Sequence, residues 1–246
     1  MKRWVFISTG VILLFLSIFL ANTLPAQASS TLSPGFYVGW VSLVARTDFN
    51  GTFSTEDSQM AYSLVDKLEG RGQLMVKIDN AGTGGASIVL PTAMTRGEDL
   101  KMDTSQGSCM YSVGIWARSN YVQLRGDPAV MGNTFQVPFN PATGLYYTSS
   151  THMVLHTGEI GGCEQMSEGM EATDRDLLKQ IAAEITAIQF QINYSSDTEM
   201  GGSCSLPGWV QTASIPPYAG TNIYSLPKCT WRVFKSSTTN PQTGWK

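Results

Sequence analysis

His152 and His156 are the only imidazoles in this 246-residue chain, so histidine-dependent acid–base or metal chemistry would have to start there. On a helix their i, i+4 spacing would offer both rings to one metal ion. Their context, Thr151-His152-Met153-Val154-Leu155-His156, reads instead as a strand. A strand keeps both rings on one face but about 13 Å apart, too far for a single ion. No metal site and no cofactor are expected from them.

Carboxylates crowd together at Glu159, Glu164, Glu168, Glu171, Asp174 and Asp176. A glycosidase needs two acids across a cleft, one with a raised pKa. Density along one segment is not that arrangement. It reads as a solvated linker whose last acids favour the positive end of a following helix. Gly82-Thr83-Gly84-Gly85 lacks the Lys-Ser/Thr and the helix of a phosphate loop, so a hairpin turn accounts for its glycines. No Gly-x-Ser-x-Gly elbow occurs. No catalytic set emerges.

The four cysteines are Cys109, Cys163, Cys204 and Cys229. They permit three pairings, and chain order favours Cys109–Cys163 with Cys204–Cys229. Paired thiols cannot serve as nucleophiles. Aromatic rings are the remaining resource, because their faces stack on ligands and sugars at low entropy cost. The strand tryptophans Trp40, Trp116 and Trp231 are expected chiefly in the core. Trp209 and Tyr218, in a Pro/Gly-rich stretch, resist burial and are the candidate ligand contacts.

The elements that must position these groups begin after the N-terminus. Lys2 and Arg3, an apolar run from Trp4 to Ala21, and Ala26-Gln27-Ala28 have the three parts of a secretory signal, with cleavage after Ala28. The rival is an N-terminal membrane anchor, for which the run is short. Without Lys2 and Arg3, the 16 Lys and Arg fall to 14, against 19 Asp and Glu. That mildly acidic balance disfavours nucleic acid and, once the signal is removed, a membrane surface as partner.

Most of the chain alternates apolar and polar residues with period two. Residues 72–91 read as a hairpin turning at Asp79-Asn80-Ala81-Gly82. Further strands are expected at 36–46, 109–118, 121–125, 134–137, 145–148, 153–156 and 229–235. Residues 55–69 fit a helix or a strand, and the hairpin that follows favours a strand. Leu177, Leu178, Ile181, Ala182 and Ile185 form one helical stripe, and Thr173 with Asp176 resembles a capping box, so a helix is expected at 174–187. Residues 188–194 alternate again and could be a strand or more helix. The expectation is a mainly β fold, a sandwich or barrel of roughly 9–11 short antiparallel strands with one amphipathic helix. Residues 29–235 make one domain, and 236–246 a tail. The residues favour an exported, non-enzymatic β module binding a ligand, glycan or cell-surface partner. The rivals are an extracellular carboxylate-dependent hydrolase and a structural envelope protein. Localisation would be secreted, periplasmic or extracellular.

Overall fold

The computed structural model describes residues 32–80, 82–119, 123–126, 133–209 and 222–236. The expected signal at 1–28, the tail at 237–246 and Tyr218 lie outside them. Within the described residues the chain forms eleven strands and one helix. In chain order they are β1 Gly35–Ser54, β2 Ser58–Ile78, β3 Gly84–Val89, β4 Thr92–Thr104, β5 Gly107–Ser119 and β6 Gln123–Gly126. Then come β7 Thr134–Pro138, β8 Leu145–Gly158, α1 Cys163–Glu184, β9 Ala187–Ser195, β10 Glu199–Ser205 and β11 Asn222–Lys235. The sheet runs β7-β9-β10-β11-β1-β2-β4-β5-β8, with β3 joined to β2 and β6 joined to β3. All the paired strands are antiparallel, and the sheet is open and sandwich-like rather than closed.

Two strands are far from short: β1 has 20 residues and β2 has 21. β2 serves two partners. Its first part, Ser58–Gly70, pairs with β4, and its last part, Gln73–Ile78, pairs with β3. The handover falls at Gly70-Arg71-Gly72. A Cβ on Gly72 would sit 1.9 Å from the Val89 carbonyl oxygen, so only glycine lets β3 leave at that point. Pro91 follows β3 and lies just before β4 begins.

The alternation read from the sequence is the alternation of burial. Tyr37, Val41, Leu43 and Ala45 of β1 face the core with Leu74, Val76 and Ile78 of β2. Phe135 of β7 and Phe190 of β9 stack at 4.7 Å, and the Trp231 ring of β11 meets both edge-on. The Trp231 indole donates to the Ser203 carbonyl at 3.0 Å, which pays the desolvation cost of its N–H. Residues 55–69 belong to β2, and 187–195 are a strand rather than more helix.

Three local expectations need correction. The segments 145–148 and 153–156 are one strand, β8, because the polar residues between them keep pairing with β5 across a bulge at Trp116/Ala117. The helix starts at Cys163 and ends at Glu184, so Thr173 is interior and no capping box exists there. Its entry is Gly162 in the left-handed region, φ 81°, with no side-chain cap. The buried face reaches back beyond Leu178 through Asp174 to Cys163. A carboxylate in an apolar stripe disguised that continuity as a helix start. Trp40 and Trp116 also escape the core, at 36% and 50% exposure.

The cystines are Cys109–Cys163 and Cys204–Cys229. The first ties β5 to the first residue of α1. The second links neighbouring strands β10 and β11, whose ladder places Ser203 opposite Thr230 one step away. Two disulfides fit an oxidising, non-cytoplasmic compartment. Among the described residues, no helix is long and apolar enough to cross a membrane.

Candidate functional site

Two arrangements of side chains stand out, on opposite faces of the sheet. The first lies under α1. Strand β4 directs Thr92, Met94, Arg96, Glu98 and Leu100 inward, so two charged groups occupy core positions. Asp66 of β2 and Asp174 of α1 meet them, and all four charged residues are at most 5% exposed. Arg96 Nη1 donates to both Asp66 oxygens, at 3.1 and 2.9 Å, and its Nε donates to Asp174 Oδ1 at 2.9 Å. The Tyr111 hydroxyl donates to Asp174 Oδ2 at 3.3 Å. Glu98 Oε2 lies 3.8 Å from Arg96 Nε and has no hydrogen bond of its own.

One cation faces three carboxylates here, so the cluster resists full ionisation. Burial pushes Glu98 up to about 8, reinforced by its hydrogen bond and charge repulsion with Asp174 and opposed by Arg96. Burial also raises Asp66 to about 6, outweighing the attraction of Arg96. The Tyr62 and Tyr111 hydroxyls are pushed above their ordinary value by burial and by these carboxylates. Chemically this is a clamp that fastens α1 to the sheet. Glu98 and Asp174 are both buried beneath the helix, at 5% and 3% exposure, so they do not face an open cleft as a glycosidase pair must.

The second arrangement is on the outer face. Ladder pairing aligns Tyr194, Gly201, Arg232, Trp40 and Gln73 across five adjacent strands. Tyr194, Trp40 and the nearby Phe234 are 41%, 36% and 44% exposed. A Cβ on Gly201 would come within 2.5 Å of the Tyr194 hydroxyl oxygen, so the glycine provides the seat on which that ring lies. Arg232 stands 4.8 Å over the Phe234 ring and is held by Glu199 at 2.6 Å. Beside this row runs a second of uncharged donors and acceptors. Thr134 is opposite Gln191, Gln191 opposite Ser203, Ser203 opposite Thr230, and Thr230 opposite Ser42. Gln136, Gln189 and Ser205 extend it. A groove of about 430 Å³ lies along these amides and hydroxyls.

The residues singled out by sequence fall elsewhere. Trp209 is 8% exposed, and its indole N–H donates to Thr47 Oγ1 at 3.2 Å, so its ring belongs to the core. His152 and His156 are exposed on β8, where His152 Nδ1 sits 2.8 Å from Glu171 Oε2. No group of three metal-ligating side chains occurs among the described residues. Glu164, Glu168, Glu171, Asp174 and Asp176 ride on the helix rather than on a linker. Gly82 turns the β2–β3 hairpin at φ 75°, with Asp79 Oδ1 accepting from the Thr83 N–H at 3.0 Å.

Sequence reasoning missed Arg96, Glu98 and Asp66. The signal was there: each holds the apolar phase of a strand, between Met94 and Leu100 or between Leu64 and Leu68. Comparisons with protein-family models, with curated proteins and with solved structures found no match.

Proposed function

We propose that this chain is an exported, non-enzymatic β module that binds a glycan on the outer face of β7-β9-β10-β11-β1. One observation carries the reading: exposed Tyr194 and Trp40 flank a row of uncharged amides and hydroxyls. Sugars present apolar C–H faces and a rim of hydroxyls. Rings stack on the faces, and Gln, Ser and Thr exchange hydrogen bonds with the rim. Arg232 and Glu199 add charged partners at the edge of the same row. The groove is shallow, which suits a chain that lies along a surface rather than a molecule that must be enclosed.

Export is part of the proposal. The basic start, apolar run and small-residue site at 1–28 support it, and so do two cystines in a chain without a free cysteine among the described residues.

A glycan array probed with the purified protein, beside Trp40→Ala and Gln191→Ala, tests the reading. The expectation is a set of related glycans bound by the parent and lost in both variants, with folding unchanged. Binding that survives both substitutions, or an array with no hit, would remove it.

A further inference from the structure

We propose that β8 is a self-pairing edge, along which two copies of this chain join antiparallel about a two-fold axis near Thr151. The inference is independent of the glycan face, which lies toward the other end of the sheet. Three observations lead to it.

β8 ends the strand order, so among the described residues nothing pairs with its outer edge. It is 14 residues long, and Leu145–Gly158 contains no Lys, Arg, Asp, Glu or Pro. Proteins that remain single blunt an edge with charges, proline, bulges or brevity. The opposite edge does so, since β7 is five residues long and ends at Pro138. β8 has a bulge where it meets Trp116/Ala117, but otherwise offers a long uncharged template of N–H and C=O groups.

The outer face beside this edge is apolar. Trp116, Met153 and Leu155 are 50%, 45% and 53% exposed, with Tyr146 at 37%. Antiparallel pairing would bring Tyr146 of one copy toward Leu155 and Thr157 of the other, and so extend one apolar strip across the junction.

Charge selects a second copy, and this direction, as the occupant. Arg118 is opposite Tyr146 at one end of β8, and Glu159 follows Gly158 at the other. Both are exposed, and neither has an ionic partner among the described residues. A two-fold axis at the middle of the strand carries each Arg118 toward the Glu159 of the other copy. A parallel pairing would set like against like.

Sedimentation equilibrium of the purified full chain, from micromolar to millimolar concentration, reads the result. A dimer is expected. Arg118→Glu should weaken it about tenfold, and the double charge reversal R118E/E159R should restore it. Thr151→Lys should also weaken it, because the axis brings the two lysines together. Circular dichroism and thermal midpoint verify that each variant folds. A parent that stays monomeric throughout overturns the proposal and leaves the edge to another partner. A dimer indifferent to R118E and T151K, or one not restored by the double reversal, overturns it as well. Glycan binding by a monomeric variant is unaffected in every case, so the two claims fail separately.

Discussion

The seam under α1 and the aromatic row around Trp40 lie on opposite faces of one sheet, and each inverts the usual rule. The seam buries Arg96, Asp66, Glu98 and Asp174, whose charges ought to be in water. The outer row leaves Trp40, Tyr194 and Phe234 in water, whose rings ought to be buried. The difference is in what each inversion achieves. Arg96 bridges Asp66 on the sheet and Asp174 on the helix, so the contribution of the buried charges is to the placement of α1. The exposed rings make few contacts within the fold, Arg232 over Phe234 among them, and on the proposed reading their contribution is to a ligand outside the chain. Removing a seam residue should therefore cost stability, and removing an outer ring should cost binding alone.

The largest effect tests that contrast first. Arg96→Ala leaves three buried carboxylates without their cation and should destabilise the fold by about 3–5 kcal/mol, read by urea denaturation. A loss below about 1 kcal/mol, within the range of exposed pairs, would show that the seam is not a clamp. Replacing Cys109 and Cys163 with serine should cost about 4 kcal/mol in the chain-entropy picture, and hydrogen exchange should rise first in the opening turns of α1.

The third effect is a pH dependence with a definite sign. Between its ordinary 4.5 and about 8, Glu98 keeps its proton in the folded state and has lost it in the unfolded state. Asp66 behaves alike between 3.8 and about 6. The native state thus binds more protons across this window, and stability falls as pH rises through it. Glu98→Gln mimics the neutral acid, so it should flatten the denaturation profile between pH 5 and 8 while costing little at pH 5. A profile that rises over that window, or one that E98Q leaves unchanged, would contradict the protonated seam. The smallest effect is on the outer face. Trp40→Ala and Tyr194→Ala should each shift stability by about 0.5 kcal/mol or less, as surface substitutions do. A loss several times larger would make those rings structural and dissolve the contrast.

Much of the sheet was legible because period-two alternation follows directly from the pleat. β5 alternates Cys109, Tyr111, Val113 and Ile115 with Ser112 and Gly114, and the fold buries the first set. The hairpin at 72–91 was legible for the same reason, together with its Asp-Asn-Ala-Gly turn. The start of α1 was not, because Asp174 occupies a core position and only its distant partner Arg96 explains it. Local spacing cannot reveal a contact that spans 78 residues. The outer row was illegible for a related reason. Trp40 and Trp116 look like core residues until strand phase is traced, and phase is fixed by Val41 and Ile115 beside them. Tyr194 and Gln191 meet Trp40 and Ser203 only through a strand order that no single segment encodes.

The proposed glycan face is tested most directly by fluorine NMR of 5-fluorotryptophan-labelled protein, titrated with a glycan found on the array and assigned by single Trp→Phe variants. The Trp40 resonance should move in a saturable way, while that of Trp231, packed beneath the same strands at 2% exposure, stays in place. A shift confined to Trp116, or no shift at Trp40 while the glycan binds, would place the partner elsewhere and contradict the account.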